Sequence, residues 1–218
     1  MRALITGANR GVGLAMAEAL AARGDHVIAT TRSATPLANV QWEQADMADP
    51  ASISALAERV EGPLDLLICN AGVLHDRAEA LETGYPPEMW AETFAVNVTG
   101  VFLTIQALLP QLRAAKAAKI AILSSQLGSN TRATGGRYIY RASKSAALNL
   151  GRNLAHDLVP EGIAVGIYHP GWVQTDMGGS AADITAAQAA TGLIQRFDAL
   201  GPATTGVFET WDGQPHPL

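Results

Sequence analysis

The chain has 218 residues, a formal net charge of −5, 48% hydrophobic residues and a single cysteine. That length supports one domain, residues 1–218, with a sizeable core, and the acidic balance gives no electrostatic basis for binding nucleic acid or an anionic membrane. Cys69 has no intrachain partner for a disulfide, the five histidines lack metal-ligand spacing, and the apolar stretches read as too short or too interrupted to span a bilayer. A cytoplasmic protein without a metal site is the expectation.

Ala3 to Ile5 forms a short apolar run that leads into Thr6-Gly7-Ala8-Asn9-Arg10-Gly11-Val12-Gly13 and then an Ala/Leu-rich helical stretch to Arg23. Strand, glycine turn and helix in that order open a dinucleotide-binding βαβ unit. Gly7 permits the tight turn, Gly11 lets backbone approach a pyrophosphate, and Gly13 lets the helix pack close to the strand. Free N–H groups at the helix start then face the phosphates, so Gly7, Asn9, Arg10, Gly11, Val12 and Gly13 are candidate cofactor contacts.

The second strand, His26 to Thr30, ends in Thr30-Thr31-Arg32, where an acid would read a ribose 2′-hydroxyl. Arg32, with Arg10 as a second cation, suits a 2′-phosphate instead, and the expected cofactor is NADP rather than NAD. A third strand, Val40 to Ala45, is followed by Asp46 and Met47 at the adenine end. Asp46 reads equally as an adenine contact or a loop-bonding acid. Asp49-Pro50 starts a helix as N-cap and N1. Leu64 to Cys69 is a near-continuous apolar strand, as expected when helices cover both faces. Asn70-Ala71-Gly72 ends it, small enough for a cofactor to lie on backbone, with the Asn70 amide free to brace neighbouring strand ends.

Pro86 to Arg113 reads as one long helix with Asn97 in its middle, and Pro110 is expected to end or kink it. Ala118 to Leu123 is the next strand, followed by Ser124-Ser125-Gln126-Leu127-Gly128. A polar loop, residues 129–137, leads to the helix that carries Tyr140 and Lys144. These two lie at i and i+4, on one face one turn apart. A phenol titrates near ~10; a cation beside it favours phenolate and draws its pKa toward neutrality, which suits the pair to proton transfer with an oxygen atom. Gly162 to His169 is a buried strand ended by Pro170-Gly171, with Trp172, Val173 and Thr175 close behind. Gly178-Gly179 reads as a lid hinge or an ordinary turn. A late helix, Ala187 to Leu200, and a last strand, Gly206 to Trp211, complete an α/β doubly wound (Rossmann) pattern.

On that pattern sit TGANRGVG, CNAG, Asn97, SSQLG, YRASK and PGWVQT, in that order. The set resembles the short-chain dehydrogenase/reductase family across nearly the whole chain, and within it carbonyl reductases of the sniffer and C-factor kind. The resemblance implies a parallel seven-stranded sheet with helices on both faces and a catalytic tetrad: Asn97 holding a relay water, Ser125 orienting substrate, Tyr140 as general acid/base, and Lys144 bonding the nicotinamide ribose. It implies cofactor contacts at Asp46, Asn70, Ala71, Gly72, Pro170, Gly171, Val173 and Thr175. The reaction it implies is reversible reduction of a small-molecule carbonyl by hydride from the nicotinamide. His75, Gln126, Leu127 and Trp172 adjoin these segments and are the candidate substrate contacts. Two other readings keep the fold without this reaction: a silent NADP-binding sensor or signalling protein, and an epimerase or dehydratase. A homodimer or homotetramer paired through the helices from about Pro86 and Tyr138 is the expected assembly.

Overall fold

A computed structural model describes residues 1–33 and 37–218. The chain order is β1 (Arg2–Ile5), α1 (Gly11–Ala22), β2 (His26–Thr31), β3 (Val40–Gln44), α2 (Pro50–Arg59) and β4 (Leu66–Cys69). Then come α3 (Pro87–Phe94), a π-helical turn (Ala95–Thr99), α4 (Gly100–Arg113), β5 (Lys119–Leu123) and α5 (Tyr138–Leu158). The chain closes with β6 (Ala164–His169), β7 (Val173–Gln174), β8 (Ile184–Thr185), α6 (Ala186–Ala199) and β9 (Phe208–Thr210). Seven strands pair in the order β3-β2-β1-β4-β5-β6-β9, every pairing parallel, and β7 and β8 form a separate two-stranded ribbon.

Alternation along each strand divides the core in two. Ala3, Ile5, Leu66, Ile68, Ala121 and Leu123 face α1 and α6, where Met16, Leu20, Leu193 and Phe197 cover them. Leu4, Leu67, Cys69, Ile120 and Ile122 face the other way, beneath Leu56 of α2, Ile105 and Leu108 of α4, and Ala147 of α5. Because both faces are covered, β4 and β6 are buried at every position, which is why they read as unbroken apolar runs. The chain leaves β1 toward β2 and restarts on its other side at β4. That reversal opens a crevice beyond the carboxyl ends of the central strands.

Pro110 does not end its helix: α4 continues through it to Arg113. The proline lies in the last turn, where only one intrahelical bond is lost, and Leu108 and Leu112 on either side are held in the core. With α3 and the π turn this makes a helical run of 27 residues, Pro87–Arg113, which by length and composition is sufficient to cross a membrane. The sequence reading took the apolar stretches as too short or too interrupted for that length, and Val101, Ile105, Leu108 and Leu112 direct the apolar side of the run into the core.

Gly100 marks where α4 meets the segment after β3. A β-carbon there would lie 3.2 Å from the Met47 carbonyl carbon and closer still to its oxygen. Overpacking of this kind costs ~1–3 kcal/mol, against ~1 kcal/mol of helix propensity gained by alanine. Gly100→Ala is expected to lower the melting midpoint by up to about 8 °C, read by calorimetry; a variant more stable than the parent would show that the contact is not tight.

Candidate active site

The crevice is a cleft of about 1080 Å³. At its floor Gly7 and Gly11 both take left-handed backbone, φ +63° and +57°. A β-carbon on Gly13 would lie 2.7 Å from the Gly7 carbonyl oxygen and within contact distance of the Asn70 side-chain nitrogen. The Asn70 Nδ2 donates to the carbonyls of Thr6 and Gly7, 2.9 Å each. In return the Thr6 hydroxyl accepts from the Asn70 and Ala71 N–H groups, 3.0 Å each. The Asn70 amide therefore braces the end of β1 against the end of β4. α1 begins at Gly11 with no side-chain cap, so its first N–H groups remain available to an anion. This small-residue cradle fits a pyrophosphate.

At one end of the cleft stand Arg32, Asp46 and Met47. Asp46 is already engaged locally, its Oδ1 accepting from Ala48 N–H at 2.9 Å. Arg10 is engaged too, in a 2.8 Å ion pair with Asp176 across the cleft mouth. That pair is exposed on both sides, and Arg10 and Arg32 both line the cleft.

The opposite end is built on residues 70–76. A β-carbon on Gly72 would sit 3.2 Å from Lys144 Nζ and 3.3 Å from Asn97 Oδ1, so glycine brings the backbone close to both. Asn97 lies in the π-helical turn, fully buried, and does not line the cleft. Its Oδ1 accepts from Val73 N–H at 2.8 Å, and its Nδ2 donates to Val73 carbonyl at 2.9 Å and to Ser143 Oγ at 3.0 Å. The extra residue of a π turn is a frequent device at functional sites; here it contains the one buried amide of the α3–α4 run.

Tyr140 and Lys144 are both buried on α5 and both line the cleft. The Lys144 ammonium stands 5.7 Å from the Tyr140 ring centre and donates to the Leu123 carbonyl at 2.8 Å. Burial pushes the Tyr140 phenol up to about 12, with the Ser125 hydroxyl opposing it. Burial also pushes Lys144 down to about 8. In this geometry desolvation is the largest influence on the phenol, and the lysine ammonium is bonded to the Leu123 carbonyl. Ser125 lines the cleft beside them, and its Oγ also accepts from Leu127 N–H at 3.1 Å, capping a short 3₁₀ turn.

Gln126, Leu127 and Trp172 line the same end, as do Pro170, Gly171, Val173 and Thr175. His75 does not: it is exposed and lies outside the lining, where Leu74 and Arg77 take the place expected of it. The Gly178-Gly179 pair closes a hydrogen-bonded turn. Thr175 accepts from Gly178 N–H through its hydroxyl at 3.0 Å and from Gly179 N–H through its carbonyl at 2.7 Å, and a Gly178 β-carbon would sit on the Val173 carbonyl. His169 lines the cleft as a neutral imidazole, held down to about 4 by burial.

Asp76 is a residue that the sequence reading missed. It is 1% exposed, and its Oδ2 accepts from the N–H groups of Ile139 at 2.8 Å and Tyr140 at 3.2 Å. Its Oδ1 is buried without a partner. The signal was indirect: α5 opens after Gly-Gly-Arg with no side-chain cap of its own, so its first N–H groups need an acceptor from elsewhere. Asp76→Ala removes a charge-assisted acceptor worth ~1.5–3 kcal/mol and is expected to lower the melting midpoint by roughly 3–12 °C, with Asp76→Asn recovering most of it. An alanine variant as stable as the parent would show that Asp76 does not anchor α5.

A family profile described as short chain dehydrogenase matches residues 1–185. Among curated proteins, C-signal of Myxococcus xanthus is 40% identical over 158 residues, 72% of this chain and 93% of that one. Among solved structures, the NADPH-bound carbonyl reductase from chicken fatty liver superposes with a TM-score of 0.92 at 30% identity, covering 100% of this chain and 98% of that one. The carbonyl reductase Sniffer of D. melanogaster does so with a TM-score of 0.92 at 30% identity, covering 100% and 99%. The match over most of the length and the seven-stranded parallel sheet agree: the chain belongs to the short-chain dehydrogenase family of oxidoreductases.

Proposed function

We propose that the protein is an NADP-dependent carbonyl reductase with Tyr140 as its general acid. The observation that carries this reading is the convergence of Tyr140, Ser125 and Lys144 on one wall of the cleft whose floor is the glycine turn. Gly7 to Gly13 would hold the pyrophosphate, Arg32 the 2′-phosphate, Asp46 and Met47 the adenine end, and Asn70 to Gly72 with Pro170 to Thr175 the nicotinamide end. NADPH-bound carbonyl reductase from chicken fatty liver supports the choice of cofactor. The bound cofactor supplies hydride to the carbonyl carbon.

The chain's own residues handle the oxygen. With its phenol held near about 12, Tyr140 remains protonated across the neutral range and is ready to donate to the developing alkoxide. The Ser125 hydroxyl holds that oxygen in place. Lys144, near about 8, keeps a proton available at neutral pH and lies on α5's buried face, where it can bond a ribose hydroxyl. Asn97 acts by position: it fixes both backbone groups of Val73, and so the segment that packs on Lys144. Trp90 and Phe102, 37% and 39% exposed along the α3–α4 run, offer a face for a second copy.

Oxidation of NADPH, followed by absorbance against aldehydes, ketones and quinones, is expected for the native chain, and Tyr140→Phe is expected to lower kcat by ~10²–10⁴-fold while leaving NADPH affinity within about threefold. Undiminished turnover in that variant would refute the acid role. Charge reversal at Arg32 should weaken NADPH and spare NADH; equal binding of the two cofactors by the native chain would refute the 2′-phosphate contact. The pH dependence follows from the tyrosine. Alcohol oxidation needs the phenolate and should climb from pH 7 to 10, while reduction needs the phenol and should not rise over that range. Alcohol oxidation fastest at low pH would contradict the raised phenol.

A further inference from the structure

We infer that the substrate carries an anionic group, such as a carboxylate, sulfonate or phosphate ester, held by Arg77 and Arg137 at the mouth of the cleft beside Tyr140. The inference rests on the reductase reading above and names the class of carbonyl compound that the site takes.

Both arginines line the cleft, and both are tethered to the start of α5. Arg137 is its N-cap, three residues before Tyr140. Arg77 follows Asp76, whose carboxylate holds the Tyr140 N–H. One Arg77 N–H reaches across the mouth to the Met177 carbonyl, which leaves most of its donors for a ligand. Arg137 forms no ion pair among the described residues, yet it stands close enough to Tyr140 for its charge to be felt at the phenol.

Carboxylates that could cancel these charges are occupied or elsewhere. Asp76 is buried and bonded to helix N–H groups, Asp176 is paired with Arg10, and Glu18 and Asp46 sit on α1 and after β3. The local backbone is also built to present Arg137. Gly135, Gly136 and Arg137 are three consecutive left-handed residues, φ +74°, +66° and +49°. Arginine is a poor choice for that conformation by its backbone preference alone. Arg141 ties the loop down, donating to the Gly136 carbonyl at 3.0 Å and to the Thr134 hydroxyl at 2.6 Å. Both side chains are exposed at the cleft mouth, and a guanidinium fork binds such anions in a paired geometry that a lysine ammonium does not offer.

The test compares 3- and 4-carboxybenzaldehyde with their methyl esters as NADPH-dependent substrates of the native chain, Arg137→Gln and the Arg77→Gln/Arg137→Gln pair. The native chain should favour at least one acid over its ester by tenfold or more in kcat/KM, and the ratio should fall to about one in the double variant. Taking the ratio within each variant cancels any general loss of activity. Equal use of acid and ester by the native chain, or an unchanged ratio in the double variant, would overturn the inference. An Arg137 that served only the Tyr140 phenol would change acid and ester alike and would also overturn it. Calorimetry on NADP-loaded protein with 3- and 4-(hydroxymethyl)benzoate and their methyl esters reads the same site without turnover. Tighter binding of the acid, lost in the double variant, supports the anion subsite even where absence of all aldehyde reduction defeats the reductase reading; equal binding defeats the subsite alone.

Discussion

The Asn97 side chain meets both backbone groups of a single residue, Val73, and this pair of hydrogen bonds from a π-helical turn fixes the short segment on which the cleft depends. Three elements converge on residues 70–76. Asn70 ties the segment to the glycine turn after β1, Val73 ties it to the α3–α4 run, and Asp76 ties it to the first turn of α5. A displacement at any one of these points would move the glycine turn relative to Tyr140. The polar groups involved are buried and largely bonded, as such groups must be in a dry interior. The one exception is Asp76 Oδ1.

Desolvation then sets the chemistry. Tyr140 and Lys144 are carried side by side by helical spacing, and burial shifts both toward their neutral forms, the phenol up and the ammonium down. For the proposed reaction, this keeps the residue proposed as the acid in its acid form at neutral pH.

Much of this was legible in the residues. The apolar runs of β1, β4 and β6 were readable because both faces of the sheet are covered. The glycine turn was readable because backbone conformation and close approach limit Gly7, Gly11 and Gly13 to residues without a β-carbon. The bracing role of Asn70 follows from an amide at a strand end. Other features depend on partners far away in the chain. The Arg10–Asp176 ion pair spans 166 positions, and nothing local to the glycine turn announces it. His75 and Asp76 are adjacent, yet one faces solvent and the other is buried; loops have no period from which to read which side chain turns inward. Pro110 is tolerated because packing on both sides outweighs one missing backbone bond.

The most direct measurement of the central claim is isotope transfer. The protein would be incubated with an aldehyde and NADPH carrying deuterium at both positions of nicotinamide C4, and the alcohol examined by mass spectrometry. One deuterium on the former carbonyl carbon is the outcome that a reductase predicts. Tight binding of NADPH with no labelled alcohol from any aldehyde or ketone would contradict it, and would identify the fold as a cofactor-binding protein without turnover.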